Sequence, residues 1–299
     1  MPTLSTRRRL ILAAGTLVVL VAASVWHIMR GSYRSVMHEF DSWRDPVLLE
    51  HPERTGIPGL QEVAFRSRDG FRLTAWYVPS HNRAAVVLVH GTNADRTTLL
   101  PELNILSEHG FGVLALDWPG HGNSEGTSRW DSKARNALTA AIDWLSARAD
   151  VDPQRIGAYG FSIGGYLTTQ VASYDSRLRA VVIAGTPRNF AAYVDRNHSK
   201  WGLLSRWPAR MALENSGMPF NDLRPEDVVS SIAPRAILFL SGTEDVVVPT
   251  DLVEFLYGRA REPKEFWVVP HAAHGDYAQV APEQYSKRLG KFFAAHLLD

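Results

Sequence analysis

Ser162 lies in the run "YGFSIGGY", flanked by Gly160 and Gly164 in the pattern Gly-x-Ser-x-Gly. A serine hydroxyl is a weak nucleophile until a base takes its proton. The run "VVPHAAHGDY" offers two bases, His274 and His271. His274 is preferred, because it sits deeper in its loop and precedes Gly275, whereas His271 directly follows Pro270. Such a base needs a carboxylate to fix its tautomer and to stabilise the imidazolium that forms. "FLSGTEDVVVP" supplies Asp245, with Glu244 beside it as the chemical alternative. The apolar run after Asp245 predicts a loop that packs inward, as a buried acid requires. Each residue also suits a quieter role: Ser162 as a helix N-cap, Asp245 as a turn residue, either histidine as a solvated loop group.

Acyl-transfer chemistry at a serine also needs two N–H donors aimed at the developing oxyanion. The backbone of Ile163, directly after the nucleophile, is the first candidate. The second is expected in the loop "LVHGTNADR", where Thr92 is preferred and Asn93 is next. His90 reads as a structural loop residue rather than a second base.

The elements that must position these groups can be read from the hydrophobic pattern. "EVAFRS" and "RLTAWYVP" alternate as half-buried strands around an Arg68-Asp69-Gly70 turn. "AAVVLVHG", "FGVLALDW", "RIGAYGFS", "AVVIAGT", "AILFLSG" and "EFWVVP" are apolar runs, expected of parallel strands buried on both faces. Between them, "TLLPELNILSEHG", "SKARNALTAAIDWLSARA" and "IGGYLTTQVASY" have helical spacing, and "PEQYSKRLGKFFAAHLL" closes the chain as a helix. This alternation predicts an α/β fold with a mostly parallel sheet flanked by helices. Every candidate polar residue falls at or just after a strand's carboxyl end, where such sheets bind ligands. Residues 186–231 break the rhythm and carry Phe190, Tyr193, Trp201, Trp207, Met211, Met218 and Phe220. A structureless loop of that length is uncommon. The segment is expected to be an insertion of short helices forming a lid, or else added packing at the sheet edge.

With Ser162, Asp245 and His274 in that order, the chain resembles the α/β-hydrolase superfamily. "HGT" at His90, Gly91 and Thr92 looks like that family's oxyanion loop. "LDWPGHGNSEG" resembles its Asp-x-x-Gly-x-Gly-x-Ser stretch, "SGTEDVVVP" its Gly-x-x-Asp acid loop, and "HAAHGDY" its histidine loop. In the last, Ala272 or Ala273 stands where a glycine is common. The resemblance covers residues 61–299 and favours Asp245 over Glu244. It is nearest to small serine esterases and to the catalytic domain of prolyl-oligopeptidase-type enzymes. A serine at 162 sets the chain apart from the dehalogenase and epoxide-hydrolase relatives, which use aspartate there.

Net charge and composition narrow the remaining classes. The 299 residues carry 32 basic and 31 acidic side chains, a balance that gives no reason to expect a nucleic-acid partner. With no cysteine, disulfides and thiolate metal sites are excluded. At the start, Arg7, Arg8 and Arg9 precede residues 10–29, which contain no Asp, Glu, Lys or Arg. Twenty such residues span about 30 Å as a helix, the thickness of a bilayer core. Residues 1–30 are therefore expected to be a single transmembrane anchor, with a cleaved signal peptide as the alternative. The arginines place that end in the cytoplasm and the catalytic domain outside it, periplasmic or extracellular, or secreted if the segment is cleaved. Residues 31–60, broken by Pro46, Pro52 and Pro58, are expected to be a linker with a short helix near residues 33–43.

The expected activity is hydrolysis of carboxylic esters through an acyl-enzyme, on a small and apolar ester or acyl substrate, with no metal or cofactor. A peptidase or amidase and an acyltransferase would use the same triad. A binding module without catalysis is disfavoured, since the chain offers every group a triad and oxyanion hole need.

Overall fold

The computed structural model describes residues 6–38, 49–127, 131–216, 219 and 221–298. Residues 39–48 of the expected linker, including Pro46, together with Met218 and Phe220 of the insertion, lie outside the described residues. Eight strands form one sheet in the order β1-β2-β4-β3-β5-β6-β7-β8. They are β1 (Gln61–Arg66), β2 (Arg72–Val78), β3 (Ala85–Val89), β4 (Gly112–Leu116), β5 (Ile156–Phe161), β6 (Leu178–Ala184), β7 (Ala236–Gly242) and β8 (Lys264–Val269). β1 and β2 form the expected antiparallel hairpin, turned at Gly70 with φ +86°, and β2 also runs antiparallel to β4. From β4 across to β8 every pairing is parallel.

The apolar runs explain why this sheet is an interior one. All five residues of β3 and all five of β4 are buried, which only a layer covered on both faces allows. Each buried Val or Leu contributes about 1.5–3 kcal/mol relative to exposure. The helices of the described residues include α1 (Thr6–His38), α2 (Leu100–Glu108), α3 (Ser132–Ser146), α4 (Ile163–Tyr174), α5 (Phe190–Asn197), α6 (Leu203–Asn215), α7 (Pro225–Val228), α8 (Thr250–Arg259), α9 (Tyr277–Val280) and α10 (Pro282–Leu297). Of these, α2, α3, α4, α8 and α10 follow their strands in sequence and pack on the sheet. A buried polar knot ties α2, β5 and α10 together. The Tyr285 hydroxyl donates to Glu102 at 2.7 Å and lies 2.9 Å from the Tyr159 hydroxyl. Burial raises the Glu102 pKa, and the tyrosine bonds oppose that shift.

The contacts divide the chain into two units, Met1–Glu39 with Val194–Gly217, and Phe40–Tyr193 with Met218–Asp299. In the first, α1 pairs with α6. α1 runs on past Arg30 to His38, because nothing between them except Gly31 disfavours a helix. The segment Leu12–His38 is long and apolar enough to cross a membrane. The insertion between β6 and β7 is helical among its described residues, comprising α5, α6, α7 and a short 3-10 turn at Val229–Ser231.

Two loops leave the carboxyl ends of β3 and β4, and a buried ion pair fastens them together. The Arg96 guanidinium donates to Asp117 Oδ2 and, at 2.6 Å, to Glu62 on β1. The backbone N–H groups of Arg96 and Asn123 also donate to the Asp117 carboxylate, at 2.8 and 3.1 Å. At Gly122 any Cβ would lie 1.9 Å from Asp117 Oδ2, so the turn can close over the carboxylate only with glycine there. His121 packs on Trp118 with tilted rings whose centroids are 3.8 Å apart, and His90 lies 5.1 Å from His121. Burial, the largest influence on each, lowers the His121 pKa to about 4 and the His90 pKa well below its usual value. Burial likewise raises Asp117 to about 6, with Arg96 pulling the other way.

These shifts fix a sign. Between about pH 6.5 and 4 the unfolded chain protonates His121 while the folded chain does not, so stability falls as pH falls through that window. From the usual value of 6.5 and the folded value of about 4, the loss between pH 7 and pH 5 is about 2 kcal/mol. Asp117 works in the opposite sense over part of this range, so the contribution must be read as a difference between two proteins. Urea unfolding at pH 7 and pH 5 should show wild type losing about 2 kcal/mol more than His121→Phe. Equal losses in the two proteins would show that His121 is not held neutral by its burial.

Candidate active site

Ser162 occupies the junction between β5 and α4. Its φ of +54° and ψ of −116° lie where a side chain is strained, and the surrounding packing must hold it there. Glycines make that packing possible. A Cβ on Gly164 would fall 2.0 Å from the Val89 carbonyl oxygen, and one on Gly165 would fall 1.9 Å from Thr186 Oγ1. The end of β3 and the start of α4 therefore touch backbone to backbone. Ser162 is pinned on both sides of its peptide: its N–H donates to Ala184 O at 2.8 Å, and its carbonyl accepts from Tyr166 N at 3.1 Å and from Thr186 Oγ1 at 3.1 Å.

His274 and Asp245 are brought together. His274 Nδ1 lies 2.7 Å from Asp245 Oδ2, and the Asp245 side chain is fully buried. The other carboxylate oxygen accepts from the N–H groups of Val247 and Val248, at 2.9 and 2.7 Å. The backbone of the run after Asp245 thus turns back onto the acid, but the run does not pack inward as expected: Val248 is buried, whereas Val246 and Val247 are exposed, because the turn needs their backbone and not their side chains. The acid and base loops are stitched to each other by Thr243 N to Val269 O and Glu244 N to Ala272 O, at 3.1 and 2.9 Å. A Cβ on Gly242 would lie 2.1 Å from the Ala272 carbonyl oxygen, so this contact also requires glycine.

The rival pair forms too, but in solvent. His271 Nδ1 is 3.2 Å from Glu244 Oε1, with the two side chains 84% and 62% exposed. An ion pair so exposed is worth little and holds no fixed geometry. With Nδ1–H given to Asp245, His274 presents Nε2 as the nitrogen able to take a proton. The ring packs against Phe161, centroids 4.7 Å apart, and against Gly185, where a Cβ would lie 3.1 Å from its Cε1. Phe161 directly precedes Ser162, and Gly185 directly follows the carbonyl that holds the Ser162 N–H. Serine and histidine thus share one short stretch of scaffold at the ends of β5 and β6.

Ile163 is the first residue of α4, and the opening N–H groups of a helix have no intrahelical acceptor. Thr92 follows Gly91, whose own Cβ position would be 3.2 Å from Ser162 Cβ, so the loop backbone abuts the serine. Sequence reasoning passed over one orienting contact here. His90 Nδ1 lies 2.8 Å from the Gly91 carbonyl oxygen, and the ring is wholly buried. In a trans peptide the C=O and the next N–H point in opposite directions. By holding the Gly91 carbonyl, His90 fixes the direction of the Thr92 N–H. The His-Gly pair is the available signal, and the sequence alone reads His90 as a structural loop residue without naming what it holds. Among the described residues no cluster of His, Asp and Glu has a metal-holding arrangement.

Residues 84–225 match the family model described as the alpha/beta hydrolase fold. An uncharacterized protein of Mycobacterium tuberculosis is 33% identical over 224 residues, which cover 74% of each chain. A polyketide transferase of a Penicillium species is 25% identical over 283 residues, covering 79% of this chain and 96% of that one. Among solved structures, an esterase of Pyrococcus furiosus superposes with a TM-score of 0.71 at 23% identity, covering 86% of this chain and 98% of that one. The sheet order, the strand–serine–helix turn and these matches agree, and the chain belongs to the α/β-hydrolase family.

Proposed function

We propose that this protein is a membrane-anchored serine hydrolase that cleaves carboxylic esters. The observation that carries the reading is the 2.7 Å bond between His274 and the buried Asp245, which leaves Nε2 as the proton acceptor. In this mechanism Ser162 Oγ attacks the ester carbonyl carbon as its proton passes to His274 Nε2. Asp245 stabilises the imidazolium, and the N–H groups of Ile163 and Thr92 hold the oxyanion. Collapse of the tetrahedral intermediate breaks the bond to the alcohol oxygen, which leaves with the proton from His274. Water then attacks the acyl-enzyme, giving a proton to His274, and Ser162 recovers it as the carboxylic acid departs. Protein groups supply each proton transfer and each charge stabilisation in this cycle.

The aromatic insertion supports an apolar acyl or alcohol group. The apolar helix α1 supports anchoring, and Arg7, Arg8 and Arg9 support a cytoplasmic start with the hydrolase unit on the opposite side. A second reading, acyl transfer to an alcohol, draws on the similarity to a polyketide transferase. It uses the same acyl-enzyme, with an alcohol replacing water in the second half. Product analysis with added alcohol decides it: accumulation of the transferred ester over free acid favours transfer.

Kinetics on p-nitrophenyl esters should separate the two histidines. His274→Ala should lower kcat by roughly 10^6 and Asp245→Asn by roughly 10^4. The exposed pair should be dispensable, with His271→Ala and Glu244→Gln within about twofold of wild type. Loss of activity in His271→Ala alone would reverse the assignment. Turnover of aminoacyl-p-nitroanilides faster than of the esters would replace the esterase reading with an amidase one.

The His90 contact gives a separate test. His90→Phe keeps a buried ring but releases the Gly91 carbonyl. It should lower kcat by about 100-fold while KM moves little, the pattern of a lost transition-state donor. A change in KM with kcat intact would assign His90 to substrate binding, and no change in either would remove it from the mechanism.

A further inference from the structure

The two helices of the smaller unit share an unusual surface. Residues 12–24 of α1 are exposed on every side. Covered positions begin at Val25 and continue at Ile28, Met29, Ser32, Tyr33 and Val36, one stripe of a helix. Its partner α6 has a covered face of Ser205, Pro208, Ala209, Ala212 and Leu213. The rest of α6 divides along its length. At the start stand Trp201, just before the helix, with Leu203, Leu204 and Trp207, exposed by 53%, 76%, 43% and 55%. One to two turns later that side carries Arg210 and Glu214 instead.

Four large apolar side chains grouped in solvent mark an interaction surface. The pairing with α1 says which kind. α1 extends only about 14 Å beyond Met29, where its charge-free run ends, so a helix paired with it stays near the bilayer. At 13 residues, α6 is about 20 Å long, too short to cross a core of about 30 Å. Two tryptophans and two leucines at one end and charges at the other suit a helix lying in the interfacial layer. Lys200, whose Nζ is 5.5 Å from the Trp201 ring, adds a cation at the same end, a side chain that can keep its charge in the headgroup layer while its stem lies on apolar surface.

We propose that α6 is a second membrane-docking element, which inserts Trp201, Leu203, Leu204 and Trp207 into the interfacial layer of the bilayer that α1 crosses. The proposal rests on reading α1 as a membrane span. The docked helix belongs to the segment that leaves the carboxyl end of β6, so the bilayer engages the insertion as well as the anchor.

The chain has no cysteine, so one introduced thiol gives a unique label. The full-length protein is reconstituted in phosphatidylcholine–phosphatidylglycerol vesicles, with bimane at Val18→Cys, Leu203→Cys or Glu214→Cys in turn. The expected result is blue-shifted emission at Val18 and Leu203, with loss of iodide quenching and strong quenching by brominated lipid. Glu214 should remain open to iodide. If Val18 is shielded by lipid but Leu203 is as open to iodide as Glu214, the docking proposal fails while the anchor stands. If Leu203 is shielded from iodide yet not quenched by brominated lipid, protein covers it and the proposal also fails. If Val18 itself is open to iodide, the anchor reading falls and takes the proposal with it.

Discussion

The active-site end of the sheet depends on one strained residue, Ser162, held at φ +54° between a strand and a helix. A side chain in that backbone region costs of order 1–3 kcal/mol, so neighbours must over-determine it. Here they do so by touching it at the backbone. The Val89 carbonyl oxygen meets α4 at Gly164, Thr186 meets it at Gly165, and Gly91 lies against Ser162 itself. Crowding of this kind leaves no room for a methyl group at Gly164 or Gly165. It also sets the distances at which the other loops arrive, because the ends of β3, β5 and β6 all converge on the same turn.

Around that turn the polar groups divide into those that can react and those that hold position. Asp245 is buried with each carboxylate oxygen occupied, one by His274 and the other by two backbone N–H groups. An acid so fixed can orient an imidazole and stabilise its positive charge. The second buried acid, Asp117, serves a different geometry. Its ion pair with Arg96 joins the loops after β3 and β4, beneath the stretch that carries Thr92. Removing one partner would leave an uncompensated charge in the interior, which is far more costly than the pair itself is stabilising. His90 and His121, neutral through burial, fill the space beside this pair. His90 also ties the Gly91 carbonyl, so the orientation of Thr92 is set from the buried side of the loop.

Much of this arrangement is legible in the sequence because the chemistry has short spacings. Strands β3 to β7 are readable since parallel strands buried on both faces become continuous apolar runs, the β1–β2 hairpin is readable from its alternation, and β8 is an apolar run although, at the edge, it is only partly buried. Ser162 is readable from its glycines, and Asp245 from its place just past a strand end, whereas the apolar run after it is misleading, since Val246 and Val247 face solvent. The choice of His274 over His271 is readable only as a preference. Both histidines find a carboxylate, and what separates them is exposure, a property of the folded loops rather than of the local residues. The contacts that escape the sequence are long-range. Arg96 meets Asp117 across 21 positions and Glu62 across 34, and no periodicity announces either. The length of α1 also escapes it, since the anchor is expected to end at residue 30 with the charge-free run, and the helix continues through Arg30 and Arg34 to His38. Its pairing with α6 joins segments more than 160 residues apart.

The central claim is that Ser162 is an activated nucleophile, and covalent capture tests it most directly. Reaction of the full-length protein with a fluorophosphonate, followed by peptide mass spectrometry, reads the modified residue without assuming a substrate. The account predicts one phosphonyl adduct on Ser162, lost in Ser162→Ala and strongly slowed in His274→Ala. An unmodified Ser162 in folded wild-type protein, or an adduct that forms at the same rate without His274, would contradict it.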